Sequence, residues 1–315
     1  MSRWTTADMP DLHGYTALVT GANSGLGLET TRALAAKGAH VVMACRDLEK
    51  GRKAQSSLEQ SIQGASLELV QLDLSSLAGV RDFAKRFRED HARLNLLFNN
   101  AGVMAIPYRK TPDGFEWQFG TNYLGHFALT GLLLPTVLAT PKSRVITTSS
   151  GAQALGRIDF DNLNNERSYS RWLAYGKSKL ADAIFAFELQ RRLTRAGVDT
   201  ISVAAHPGYS HTSLQSTSVT ETGSVIERLI YPLYRGQSAA MGALPQLYAA
   251  TAPYIYGGEY IGPDGLFSMA GYPKKERASK RAYDEQVAER LWDVSVEMTG
   301  VDYAELRSGS SFSTI

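Results

Sequence analysis

The chain has 315 residues, 43% apolar and 20% charged, enough to enclose a substantial core in one large or two small domains. A formal charge of +2 excludes a strongly basic nucleic-acid surface, and the single cysteine, Cys45, excludes an intrachain disulfide framework and suits a reducing compartment. The polar start, with Asp8, Pro10 and Asp11, has no apolar signal core, and the most apolar stretch, 127–138, is shorter than the ~20 residues of a membrane span. The expectation is a soluble, cytoplasmic protein.

Taken in order, Ala17-Leu18-Val19-Thr20 reads as a first strand, followed by glycines and a helix to Lys37. Residues 40–45 read as a second strand, 48–63 as a helix and 67–72 as a third strand. A helix over 80–91 leads to a fourth strand at 94–98, and 114–138 contains a long helix. A fifth strand at 144–148, a long helix at 172–196 and a sixth strand at 200–205 follow. Continuous apolar strands alternating with helices predict a parallel sheet covered on both faces, and right-handed crossovers make it doubly wound. No repeat or charge run marks a boundary, so residues 1–315 are read as one α/β domain of the Rossmann type, with a helical extension from about 274.

Two stretches break the rhythm. Residues 151–171 are polar and aperiodic, and a Ser/Thr-rich run at 212–222 precedes Val225, Ile226, Leu229, Ile230 and Leu233, spaced for one helix face. The segment 209–235 is read as a lid over an apolar substrate, with 151–171 and Trp172 as the opposite wall.

The turn after the first strand is Thr20-Gly21-Ala22-Asn23-Ser24-Gly25-Leu26-Gly27. Glycines there allow a tight turn and close approach of a pyrophosphate to the amides of a helix N-terminus. Asn99-Asn100-Ala101-Gly102 follows the fourth strand, Ser149-Ser150 the fifth, and Tyr175 and Lys179 lie four apart on the next helix, hence on one face. A free phenol titrates near ~10, and a neighbouring ammonium favours its ionised form, which suits proton exchange at neutral pH. His126 and His206 are read as packing or backbone-bonded residues, and no His or acidic set forms a persuasive metal pattern.

With these motifs in this order, the chain resembles the short-chain dehydrogenase/reductase family over about residues 12–262. Ala44-Cys45-Arg46-Asp47, Leu72-Asp73-Leu74-Ser75, Gly102-Val103-Met104, Gly125-His126-Phe127 and His206-Pro207-Gly208 look like its retinol-dehydrogenase-like branch. The resemblance implies a seven-stranded fold, a nicotinamide dinucleotide and a dimer or tetramer through the two long helices. It assigns Tyr175 as the acid–base residue, Lys179 as its tuner, Ser150 (with Ser149 as rival) as the substrate-orienting hydroxyl, and Asn122 as holder of a lysine-linked water. It places Gly21, Asn23, Ser24, Gly25, Leu26 and Gly27 on the pyrophosphate and Asp73 and Leu74 beside the adenine. Asn100, Ala101 and Gly102 line the cofactor, with Pro207, Gly208 and Thr212 near the nicotinamide.

The second strand ends in Cys45 rather than in an acid that would bind both ribose hydroxyls, and Arg46 follows with a guanidinium able to fork onto a 2′-phosphate. NADP is therefore expected over NAD, with Asp47 as the contrary sign. The expected reaction is hydride transfer between NADP(H) and a lipophilic carbonyl or alcohol. A dinucleotide sensor without turnover and a tetrapyrrole C=C reductase are the competing readings.

Overall fold

Along the strands, alternate side chains enter two different cores. Leu18, Val42, Leu97 and Val145 pack in one, and Val19, Met43, Phe98 and Ile146 in the other. A sheet buried on both faces reads as a continuous apolar run because both sides of the pleat are inside. The computed structural model describes residues 3–210 and 236–307. Within it, β1 (Thr16–Thr20), β2 (His40–Cys45), β3 (Ser66–Gln71), β4 (Leu96–Asn99), β5 (Arg144–Thr148), β6 (Ile201–Ala205), β7 (Tyr260–Pro263) and β8 (Pro273–Glu276) form one sheet in the order β3-β2-β1-β4-β5-β6-β7-β8.

The first seven strands are parallel, as a doubly wound Rossmann-type sheet requires. The eighth corrects the expected count of seven. Pro273–Glu276 pairs antiparallel with β7 after a short connection, and only an antiparallel partner can be reached without a crossover. Starting at proline and carrying Lys274 and Lys275, β8 also makes a poor template for further strands.

Helices α1 (Gly25–Ala36) and α2 (Leu48–Ser61) cover one face together with α6 (Ala239–Thr251), while α3 (Leu77–Asp90), α4 (Gly125–Leu138) and α5 (Arg171–Arg195) cover the other. The long helix expected within 114–138 is present, with its first part, Phe119–Leu124, wound as a π-helical stretch that runs into α4. Residues 273–276 of the expected helical extension are strand, and its main helix is α7 (Glu285–Thr299), capped by Asp284 and ended by Gly300 at φ +64°.

Helix α7 and the turn after it pack on α4 and α5. The Trp292 ring lies 5.1 Å from Phe127 and 6.0 Å from Phe185, and the Tyr303 hydroxyl donates to the Phe127 carbonyl at 2.7 Å. The chain's own C-terminal segment thus packs on part of the two long helices through which the family resemblance implies a dimer or tetramer.

Candidate active site

Strand order reverses between β1 and β4, and such a switch point opens a crevice beyond the carboxyl ends of the strands. A cleft of about 1000 Å³ lies there, lined by Gly21 and residues 23–27 of the first turn, Arg46, Asp73, Leu74 and Asn100 to Gly102. The turn depends on glycine at Gly21 (φ +69°) and Gly25 (φ +55°), where the backbone is left-handed, and at Gly27, where a Cβ would strike the Gly21 carbonyl. Asn100 ties this turn to β4: its Nδ2 donates to Thr20 O at 2.8 Å, while Asn100 N and Ala101 N donate to Thr20 Oγ1 at 2.9 Å.

At the far end of the cleft, Asp47 serves as the N-cap of α2. Its Oδ1 accepts from the amides of Glu49 and Lys50 at 3.0 and 3.1 Å, its Oδ2 lies 3.2 Å from Lys50 Nζ, and these partners hold the carboxyl below its ordinary range. Asp47, Lys50 and Lys53 line the cleft beside Arg46, so this wall carries three cations against one engaged carboxylate. The two lysines escaped the sequence reading, although both fall within two turns of Arg46. Asp73 does not cap α3, a role taken by Ser76; its Oδ1 accepts from Ser75 N and Oγ at 2.9 and 2.7 Å. Cys45 is fully buried and its thiol is pushed up to about 11 by burial, consistent with a packing role.

Asn122, Ser150, Tyr175 and Lys179 are not among the residues that line this cleft; Tyr175 and Lys179 face inward on α5, 6% and 5% exposed. Lys179 Nζ donates to Thr148 O at 2.9 Å and to Asp182 Oδ2 at 2.8 Å. Burial, the largest single influence, pulls this ammonium down, but the Asp182 carboxylate and Tyr175 together outweigh it and hold Lys179 above its ordinary value. Burial pushes the Asp182 carboxyl itself up to about 6 against the pull of Lys179. Asp182 is 1% exposed and was missed, although i+3 spacing on α5 puts it beside Lys179.

The serines separate clearly. Ser149 is buried and its Oγ donates to Lys179 O at 2.7 Å, so its hydroxyl hydrogen is spent on the helix backbone. Ser150 caps a short 3₁₀ turn, Gly151–Leu155, and its Oγ accepts from Ala152 N at 3.2 Å, a bond that leaves the hydroxyl hydrogen for another acceptor. Asn122 sits in the π-helical stretch; its amide exchanges bonds with Val103 N and O and donates to Ser178 Oγ, clamping the loop after β4 to α5. Its main-chain carbonyl accepts from His126 Nδ1 at 2.7 Å, so His126 Nε2, 2.9 Å from Thr20 Oγ1, is the acceptor nitrogen. Burial lowers His126 to about 3, keeping the ring neutral.

Gly102 connects the cleft to this buried group. It lines the cleft, and a Cβ there would lie 3.2 Å from Asn122 Oδ1 and 3.7 Å from Lys179 Nζ. Pro207 and Gly208 do not line the cleft; they follow β6, where Gly208 turns at φ +64° and Pro207 O accepts from Ser210 Oγ and Gln237 Nε2. His206 Nε2 pairs with Glu276 of β8, in keeping with a packing role. Thr212, with most of the expected lid including Val225, Ile226, Leu229, Ile230 and Leu233, lies outside the described residues.

A family model described as short chain dehydrogenase matches residues 15–223. Human retinol dehydrogenase 14 is 39% identical over 92% of this chain and 88% of its own length, and human retinol dehydrogenase 12 is 40% identical with the same coverage. The crystal structure of an uncharacterised protein from Mycobacterium paratuberculosis is 41% identical, with a TM-score of 0.79 over 96% of this chain and 99% of that one. The NADP complex of RhlG from Pseudomonas aeruginosa is 25% identical, with a TM-score of 0.64 over 82% and 98%. The chain is a member of the short-chain dehydrogenase/reductase family of oxidoreductases, in its retinol-dehydrogenase-like branch.

Proposed function

We propose that the protein transfers hydride between NADP(H) and a lipophilic carbonyl or alcohol, with Tyr175, Lys179, Ser150 and Asn122 as its catalytic group. The observation that carries this reading is Gly102, which joins a dinucleotide-sized cleft to the buried Lys179 ammonium on the helix face that also bears Tyr175. The Gly21–Gly27 turn offers backbone approach to a pyrophosphate, and its glycines leave room that a Cβ would fill. Arg46, with Lys50 and Lys53 behind it, suits a 2′-phosphate, since Asp47 is already engaged as a helix cap. The NADP complex of RhlG supports the same choice.

When bound, the dinucleotide supplies or accepts hydride at its nicotinamide ring. For reduction, Tyr175 gives its phenolic proton to the substrate oxygen as charge develops there, and Ser150 donates a hydrogen bond to the same oxygen. Two of the three Lys179 donors are spent on Thr148 and Asp182. The third remains for a ribose hydroxyl, and the ammonium's charge favours the tyrosinate left behind. Asn122 fixes the loop at Gly102 and Val103 against α5, and by family likeness supports proton resupply to Lys179.

The apolar substrate class rests on the retinol dehydrogenases among the relatives and on the apolar spacing within 225–233. NADPH oxidation followed in darkness against a panel of short, long-chain and aromatic aldehydes and ketones tests the whole reading. Turnover rising with apolar size, and faster with NADPH than NADH, is the expected result. NADPH binding without turnover on any carbonyl would favour a sensor, and turnover only on a tetrapyrrole under light would favour C=C reduction.

A further inference from the structure

Two imidazoles and one carboxylate from three separate elements converge at the amino ends of β2 and β3, across the sheet from the cleft. His40 opens β2, Glu68 lies in β3 and His91 is the C-cap of α3. Glu68 Oε2 lies 3.4 Å from His40 Nε2 and 3.1 Å from His91 Nε2, and the ligand-capable atoms of all three fall within 4.8 Å of one another.

Four ligands held tetrahedrally at about 2.0–2.1 Å from an ion stand roughly 3.3–3.4 Å apart. Two of the three edges thus already have near the required length, and the third is no longer than 4.8 Å. Both rings are also oriented. His40 Nδ1 lies 2.8 Å from Ser66 Oγ, which leaves Nε2 to face Glu68, and the His91 ring packs on Phe87 with centroids 4.5 Å apart. A hydrogen bond at the distal nitrogen is the arrangement that fixes a metal-binding imidazole. Side-chain exposures of 33% for His40, 37% for Glu68 and 13% for His91 leave the cluster reachable by an ion and by water.

We propose that His40, Glu68 and His91 bind a divalent transition-metal ion, zinc foremost, with water completing the coordination. Two imidazole nitrogens and a single carboxylate disfavour magnesium and calcium, which take mainly oxygen ligands. Being remote from the cleft, the ion acts structurally. It joins β3, the sheet's edge strand, to β2 and to the end of α3, which neither strand pairing nor the helix alone does. The proposal is independent of the reaction.

The test uses the full chain stripped with a chelator, titrated calorimetrically with Zn²⁺ and spectroscopically with Co²⁺ near neutral pH. One ion per chain should bind, with tetrahedral-type Co²⁺ absorption bands and a higher melting temperature in Zn²⁺. His91→Gln, His40→Gln and Glu68→Gln should each weaken binding by at least about tenfold while the metal-free proteins keep the wild-type circular dichroism. His13→Gln, at the exposed pair with Asp11, should change nothing. No saturable binding in the wild type, or binding that survives the cluster substitutions or disappears with His13, would overturn the proposal.

Discussion

Asp182→Asn separates the charge at position 182 from its shape. The Asp182 and Lys179 charges stand 2.8 Å apart with both side chains buried, an attraction of about 6 kcal/mol at an effective dielectric of ~20. Removing one partner of a buried pair commonly costs about 3–5 kcal/mol, divided here between lost stability and loss of the lysine proton. Asparagine keeps the outline and an acceptor oxygen, so the larger share should appear as deprotonation, with burial then dominating at Lys179. The ionisable neighbours are Tyr175 on the same helix, Tyr123 and the neutral His126, none of which replaces the lost anion. With a less cationic Lys179, tyrosinate formation becomes harder. The acidic limb of the kcat/KM profile for alcohol oxidation, where activity falls as the tyrosinate is protonated, should move up by about one unit or more, with a roughly 10- to 100-fold loss at neutral pH. The assay is a pH series of NADP reduction in wild type and variant, with circular dichroism to establish folding. An unmoved limb would refute the counter-ion role, and so would a limb moved to lower pH, which would make Asp182 a screen of the lysine charge.

Tyr175→Phe should fold and bind NADPH yet lose about 10²–10⁴-fold in turnover, measured by single-turnover kinetics; near-normal turnover removes the tyrosine from the chemistry. Arg46→Ala should weaken NADPH binding by about 10- to 100-fold and NADH binding little, since one charge-assisted contact is worth ~1.5–3 kcal/mol; equal wild-type affinities for the two would end the claim. His126 titrates near 6.5 when unfolded but at about 3 when buried, so below 6.5 only the unfolded chain takes the proton and stability falls as pH drops toward 3. By the lower end of that window the loss is on the order of 4 kcal/mol. In denaturant unfolding, His126→Gln should be less stable than wild type at pH 7 but lose less on acidification, and parallel pH curves would show that this histidine is not responsible.

The parallel sheet was legible because its strands are apolar on both faces, and β2 (His40–Cys45) and β5 (Arg144–Thr148) run as the sequence suggests. The glycine-rich turn was legible for a related reason: Gly21, Gly25 and Gly27 answer backbone demands that few other residues meet. Pro273-Lys274-Lys275-Glu276 carries no such signal. It is half solvated, and its strand conformation comes from pairing with β7 rather than from propensity. Helix α6 was passed over although most of it is buried, because Pro245 and an almost unbroken apolar run blur its periodicity.

What the sequence concealed most completely are the relations between charged or polar groups on different elements. Asp47 looked like a rival to Arg46 for the ribose until its carboxylate proved to be the cap of α2, a role decided by backbone geometry. His40, Glu68 and His91 are dispersed in the chain and meet only because β2 and β3 pair in one register and α3 ends beside them. The same holds for the surface of α4 and α5. Their apolar residues could serve a partner subunit or the chain itself, and periodicity cannot tell these apart. At Phe127 the C-terminal segment takes that place: Trp292 and Tyr303 pack there, and the Tyr303 hydroxyl finds its acceptor at Phe127 O. An aromatic that buries its ring and satisfies its polar atom within its own chain is held there by that chain's fold, a relation that periodicity does not announce.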